Sequence, residues 1–213
     1  KLVWLPPHRA TPPMREVIEK ETREMLQQGI IRESSGEWTS PVVMAKKKDG
    51  SWRFCVNYKK LNSITVADRY PLPKVEDCFD SLAGSCLYST LDLASGYWQI
   101  PMKEEDKVKT GFVNHLGTYE FERLPFGLTN SPARFSRTMD VLLKGLKWLT
   151  CLVYLDDVIA FSKTFPEHLL RLRAIFQRFR QAKLKLQPRK CHLLKPKFEF
   201  LGHEVSQNGI DRK

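Results

Sequence analysis

The chain has 213 residues, 42% hydrophobic and 28% charged, an ordinary globular mix sufficient for one large domain or two small lobes. Lys and Arg number 35 against 24 Asp and Glu, giving a formal charge of +11. That excess favours an anionic partner, nucleic acid before a membrane surface, over an indifferent basic surface. No run approaches the roughly 18 apolar residues of a membrane span, and no signal peptide is present. The five cysteines (Cys55, Cys78, Cys86, Cys151, Cys191) are odd in number and lack zinc-ligand spacing, which fits a reduced intracellular protein. Because the chain opens at Lys1 without methionine, it is expected to be cut from something longer.

Turn signals and caps divide the chain in order. Thr11-Pro12 starts a helix that Gly29 can end, with Val17, Ile18, Met25 and Leu26 on its buried side. Pro41 to Lys48 and Ser51 to Tyr58 form a hairpin around Asp49-Gly50. After a loop through Pro71 and Pro73, a short helix ends at Gly84. "CLYSTLDLASGYWQIPM" predicts a strand, a bend at Ala94-Ser95-Gly96, and a second extended piece. "TGFVNHLGTYEFERL" predicts a hairpin turning near Leu116-Gly117. The next helix is capped at Asn130 or Ser131, carries Phe135, Met139 and Leu142 as its stripe, and stops at Gly145. A later one opens with Thr164 and Glu167 in capping-box spacing and carries Leu169, Leu172, Phe176 and Phe179. Single helices between hairpins argue for an α+β fold with a mainly antiparallel sheet, helices on one face, and an appended hairpin-rich lobe.

"LTCLVYLDDVIAFS" places Asp156 and Asp157 between two β-rich apolar arms. Neighbours on a flat strand point to opposite faces, so the two can share a site only where the backbone turns sharply. A polar turn is the plain reading, since aspartate is a common turn residue. Asp92 sits in a similar apolar strand and could merely cap the following bend. Together, three carboxylates at strand ends would raise one another's pKa and destabilise the fold. A divalent cation would cancel that charge. Mg²⁺ takes one or two carboxylates and completes its shell with water and phosphates, which points to phosphoryl or nucleotidyl transfer.

"YLDD" between apolar runs resembles the Tyr-X-Asp-Asp signature of reverse transcriptases. "GIIRESSGEWTSPVVMAKKKDGSWRFCVNYKKLN", "YPLPKVEDCFDSLAGSCLYSTLDLASGYWQI", "KTGFV", "YEFERLPFGLTNSPARFSRTM" and "KCHLLKPKFEFLGHEVS" extend the resemblance, in order, to gypsy-type long-terminal-repeat retrotransposon polymerases. The resemblance implies the fingers and palm of a right-hand polymerase, with fingers at about 1–67 and 101–130 and palm at about 68–100 and 131–213. Thumb, connection and ribonuclease H segments are expected to be absent and to belong to a parent Pol polyprotein.

The resemblance also implies roles. Asp92, Asp156 and Asp157 match the catalytic aspartates that hold two Mg²⁺ ions, with Mn²⁺ as a substitute. Tyr97 matches a steric gate against the 2′-hydroxyl, and Phe126 a position near the incoming nucleotide. Arg53 and Lys47 are expected at its triphosphate. Tyr154 and Leu155 would meet the primer end, and Leu201-Gly202-His203 the primer backbone. Lys190 matches a lysine that protonates pyrophosphate, or it simply contacts phosphate. Asn57 and Trp98 depart from the family's usual aspartate and histidine, which puts packing or template contact in question rather than the chemistry. The implied partners are an RNA or DNA template with its primer, deoxynucleoside triphosphates and the rest of the polyprotein, with no membrane. The implied place is intracellular, in cytoplasmic retroelement particles. The alternative is a catalytically silent nucleic-acid-binding fragment, and a cyclase with a palm-like core is remote.

Overall fold

The computed structural model describes residues 2–47 and 50–212. In chain order the elements are α1 (Pro12–Gln27), β1 (Ile31–Glu33), β2 (Ser40–Lys46), β3 (Trp52–Val56), α2 (Lys59–Asn62), α3 (Val75–Leu82) and β4 (Leu87–Asp92). Then follow α4 (Glu104–Lys107), β5 (Phe112–Asn114), β6 (Gly117–Phe121), α5 (Ser131–Leu142), β7 (Cys151–Tyr154), β8 (Asp157–Ser162) and α6 (Phe165–Gln181). The last strands are β9 (His192–Lys195), β10 (Lys197–Phe200), β11 (His203–Ser206) and β12 (Gly209–Arg212). The architecture is α+β, in two compact units: Lys1–Asp68 with Tyr97–Ser131, and Arg69–Gly96 with Pro132–Lys213. No helix among the described residues is long and apolar enough to cross a membrane.

The first unit is a five-stranded sheet of order β1-β6-β5-β2-β3 covered by α1. β2 and β5 run parallel, so this sheet is mixed. α1 starts after an extended Thr11 and ends where Gly29 takes φ +64°, a conformation that glycine adopts without steric cost. It buries Ile18, Thr22 and Met25. Phe112 is the hub of the core, with Phe54, Tyr119 and Phe121 rings at 5.8, 5.6 and 5.3 Å. Tyr58 is buried beside it and donates to the Thr110 carbonyl at 2.8 Å, which satisfies its hydroxyl. Lys47 closes the β2–β3 hairpin through its N–H to Ser51 O at 2.8 Å, while the expected turn residue Asp49 and its neighbour Lys48 lie outside the described residues.

The second unit holds an antiparallel sheet, β7-β8-β4-β9, and a three-stranded sheet, β10-β11-β12. Strand alternation sorts its residues. Tyr88, Leu152, Ile159 and Phe161 cluster with Cys78 and Leu82 of α3 and with Phe200 and Val205. On the opposite face, Ser89 and Ser162 meet α6. The fully buried His168 of that helix sits between them, with Nε2 at 2.7 Å from Ser89 Oγ and Nδ1 at 2.8 Å from Ser162 Oγ. Ser89 Oγ also accepts from Leu194 N–H at 3.0 Å, so one ring ties α6, β4, β8 and β9 together.

Three expectations change. The helices do not share one face of the β7-β8-β4-β9 sheet: α3 packs with Tyr88, Ile159 and Phe161, and α6 meets Ser89 and Ser162 on the other side, because both faces of these strands are buried. The piece after Gly96 is not extended but a short 3-10 turn over Gly96–Gln99, because the chain turns to bury Tyr97. On α6 the buried stripe is His168, Leu172, Ile175 and Phe179, while Leu169 is exposed. The helix is rotated because two serine hydroxyls draw the histidine inward. Thr164 caps this helix, accepting from Glu167 N–H as its spacing predicted.

Burial, and after it the charge of Arg171, hold the His168 imidazole below its ordinary value of 6.5. The unfolded ring therefore takes up a proton that the folded one refuses, and stability is lost as pH falls through about 6.5. Urea unfolding at about pH 7 and about pH 5 should show this loss, which His168→Gln should lack. His168→Leu should cost about 1–3 kcal/mol at neutral pH, because it takes one buried hydrogen-bond partner from each serine hydroxyl and leaves them only Leu194 N–H and the Thr164 carbonyl.

Candidate active site

The β7–β8 hairpin turns on Leu155 and Asp156 and brings Tyr154 opposite Asp157. Leu155 holds φ +51°, a conformation that costs a non-glycine residue about 1–2 kcal/mol per residue. The buried arms on either side, Cys151 to Val153 and Val158 to Ser162, keep it there. Desolvation in those arms pushes the Cys151 thiol up to about 12, which leaves it an inert core residue.

β4 lies beside β8 in a register that pairs Thr90 with Ile159 and Asp92 with Asp157. The two carboxyl groups thus stand opposite each other at adjacent strand ends, on the same face, with Asp156 in the neighbouring turn. They line a cleft of about 210 Å³ with Thr90, Ile159, Lys190 and His192. The Asp157 carboxyl is pushed above the usual carboxylate range, first by desolvation and then by repulsion from Asp156 and Asp92. Lys190 Nζ lies 3.8 Å from Asp92 Oδ2.

The backbone of Asp92 is held from the far side. Its N–H donates to Cys191 Sγ at 3.4 Å, and its carbonyl accepts from Gln187 N–H at 2.8 Å. Ala94 N–H donates to Lys185 O at 2.9 Å, so the segment from 185 to 191 braces the strand end. β9 pairs with β4 only as far as Thr90 opposite His192, and beyond that pair the side chain of Cys191 accepts from Asp92.

Among the described residues, no group of three or more His, Cys, Asp or Glu stands as a ready-made metal cage. Asp92 and Asp157 are paired across strands, and Asp156 is near enough to repel Asp157 without closing a ligand set. The donor chemistry nonetheless fits a hard divalent cation: Asp157 is a destabilised anion, and the Lys190 ammonium comes no nearer to Asp92 than 3.8 Å. Mg²⁺ needs only one or two carboxylates when water and phosphates fill the rest of its shell.

Other expected site residues fall into local groups. Tyr154 meets Phe200 edge-on at 5.7 Å, which joins its hairpin to the β10–β11 hairpin. That second hairpin turns on Leu201 (φ +51°) and Gly202 (φ +77°), and the His203 ring packs at 5.1 Å from Phe79. In the first unit, the Tyr97 ring stacks on the Phe126 ring at 4.9 Å and 25°. Tyr97 is buried and Phe126 is exposed. Phe54 packs inward against Phe112, so Arg53, one residue earlier, faces solvent. Asn57 Oδ1 accepts from Lys59 N–H at 3.1 Å, a turn bond that an aspartate would make equally well. Trp98 packs against Phe126, and its buried indole N–H has no partner among the described residues.

Residues 45–205 match the family described as reverse transcriptase, RNA-dependent DNA polymerase. The chain belongs to the reverse transcriptase family. It is 46% identical over 199 residues to the retrovirus-related Pol polyprotein from transposon 297 of Drosophila melanogaster, covering 91% of this chain and 19% of that protein. The Pol polyprotein from the gypsy transposon of the same fly is 35% identical over 200 residues, covering 91% and 19%. This domain therefore spans about a fifth of the length of these relatives. Among solved structures, the foamy viral protease-reverse transcriptase in complex with RNA/DNA hybrid superposes with a TM-score of 0.89 at 25% identity, covering 98% of this chain and 28% of that one.

The sequence offers the three aspartates as candidates, whereas the brace around Asp92 does not show in it. Nothing local marks Cys191 as the partner of a strand residue ninety-nine positions away. His168 is no more visible, because the leucines and phenylalanines of its amphipathic helix point to Leu169 as the buried residue.

For this reverse transcriptase domain, the raised Asp157 carboxyl has a measurable consequence. A carboxyl harder to ionise when folded subtracts stability as pH rises through the carboxylate range. In the absence of divalent ions, Asp157→Asn should therefore have a higher Tm than the parent at about pH 7 and an equal one below about pH 4. A lower Tm at neutral pH would show that the repulsion is already neutralised.

Proposed function

We propose that this reverse transcriptase domain is a polymerase core that adds deoxynucleotides to a primer 3′-hydroxyl along an RNA or DNA template. The observation that carries this reading is the cross-strand pairing of Asp92 with Asp157, with Asp156 in the adjoining turn and Lys190 beside Asp92. The first compact unit would serve as fingers, close to the boundaries 1–67 and 101–130, and the second as palm, over 68–100 and 131–213. The flanking polyprotein, Pol in the relatives, would be its covalent partner in cytoplasmic particles.

Asp92 and Asp157, with Asp156, would hold two Mg²⁺ ions, or Mn²⁺ in their place. When bound, these ions supply positive charge at the attacking and departing oxygens. The protein's own share is positioning and charge. Gln187 and Cys191 fix the backbone of Asp92, and the β4–β8 register fixes Asp157 against it. Lys190, 67% exposed on its side chain, is free to swing from Asp92 to a phosphate or to give a proton to departing pyrophosphate. Tyr97, braced by its stack on Phe126, presents a rigid wall to the sugar and leaves no room for a 2′-hydroxyl. Arg53, facing solvent, clamps the triphosphate as a planar fork, and Lys47 adds a point charge. Tyr154 and the strained Leu155 seat the primer end, while Leu201, Gly202 and His203 bear on its backbone.

Single-nucleotide extension of a DNA primer on an RNA template, at low salt with Mg²⁺, tests the reading. The parent should extend the primer, and Asp156→Asn should lose at least about a hundredfold in rate. Equal extension by both would remove the aspartates from the chemistry. Binding without extension by the parent would favour a silent nucleic-acid-binding domain. Separately, Tyr97→Ala should raise ribonucleotide use relative to deoxynucleotide use by at least about tenfold. Unchanged sugar selectivity would take Tyr97 out of the nucleotide site.

A further inference from the structure

The positive charge of this chain is concentrated. Residues 171–198 carry ten of the 35 Lys and Arg and none of the 24 Asp and Glu, so the rest of the chain is close to neutral. A solvated helix face normally interleaves both signs. α1 does so: its Arg15, Lys20 and Arg23 alternate with Glu16, Glu19, Glu21 and Glu24. The first unit also pairs its buried-edge charges, with Arg32 and Lys107 both bridging to Glu104 and Glu122. Beyond Arg171, which pairs with Glu167, α6 and β9 have no such compensation among the described residues.

Arg173, Arg178, Arg180, Lys183, Arg189 and Lys195 are all exposed, and none makes an ion pair among the described residues. Like charges held together without counter-charges raise the energy of the free protein, and a polyanion would lower it. The placement is specific. α6 packs through His168 on Ser89 and Ser162, which alternate along β4 and β8 with Thr90, Asp92, Asp157 and Ile159 of the carboxylate cleft. The helix therefore lies on the opposite face of the sheet. Its basic residues are not cut off from the cleft, because the segment from Lys183 to Lys190 runs along the end of β4, pinned to Asp92 and Ala94. Lys190 lines the cleft itself. Arg173 and Arg180 are seven residues apart, about 10 Å along the helix, the rise of about three stacked nucleotides.

We infer that residues 173–195 form a track for single-stranded nucleic acid that leads from the mouth of the aspartate cleft round the sheet edge onto α6. The track rests on the reading above only for the direction in which the strand leaves. Its contacts are to phosphates, so it carries no sequence preference and is strongly salt-dependent. It would hold template that is not in the cleft, adding affinity through a second, tethered contact.

The test measures binding, without nucleotides, by anisotropy of labelled DNA, so it stands whether or not the domain polymerises. The probes are a short primer–template duplex, the same duplex with a single-stranded thymidine tail, and the free tail. The parent should bind the tailed duplex at least about tenfold more tightly than the untailed one, and should bind the free tail. The variant R173Q/R180Q/K183Q should lose that advantage, lower the salt slope for the tailed probe by about 2, and bind the untailed duplex as the parent does. The variant R15Q/K20Q/R23Q removes the same charge from α1 and should leave tail binding unchanged. No tail advantage in the parent, or equal losses in both variants, would overturn the track and leave only the net charge of the chain. Thermal melts confirm that both variants are folded.

Discussion

Two carboxylates held opposite each other at the ends of adjacent strands are the constraint around which the second unit is arranged. The pairing of Asp92 with Asp157 opposes charges of the same sign, and desolvation adds to the penalty. Nothing in the pair favours that register. It persists because the strands are committed on both faces: Tyr88, Ile159 and Phe161 to one core, Ser89 and Ser162 to the buried histidine of α6. A slip of one residue would turn every one of those side chains to the wrong face, at a cost far above that of the repulsion. The packing thus holds in place a carboxylate pair that destabilises itself.

The same logic explains the strained turns. Leu155 and Leu201 both take left-handed conformations at hairpin tips where glycine or asparagine would be easier. Each tip adjoins residues proposed to touch the primer. The strain is contained because Tyr154 and Phe200, immediately before the two tips, pack on each other. The segment from Lys185 to Cys191 adds a third restraint by gripping the backbone of Asp92. One stretch of chain therefore braces the aspartate, presents Lys190 to the cleft and carries three of the ten basic residues between 171 and 198.

The first unit solves a different problem. Its mixed sheet leaves Arg32, Lys107 and their glutamates to neutralise one another, and its aromatic core around Phe112 holds the hairpin of Arg53 and Lys47 on one side. Tyr97 and Phe126, far apart in sequence, become a stacked pair because the 3-10 turn after Gly96 brings the tyrosine into the fold.

Much of this was legible in the residues. The helix at Thr164-Glu167 begins at a capping bond between near neighbours, and the helix at Thr11-Pro12 begins at a proline whose fixed φ suits a first turn, so both starts are local. The β7–β8 hairpin around Asp156 is equally local: apolar arms and a polar turn suffice. The order of motifs pointed to reverse transcriptases and to the three aspartates. By contrast, only the tertiary structure decided that Asp92 faces Asp157, that Cys191 and Gln187 hold its backbone, and that α6 turns His168 rather than Leu169 inward. Each of these depends on strand register or on a partner far along the chain, and sequence periodicity records which face a residue belongs to, not what it will meet there.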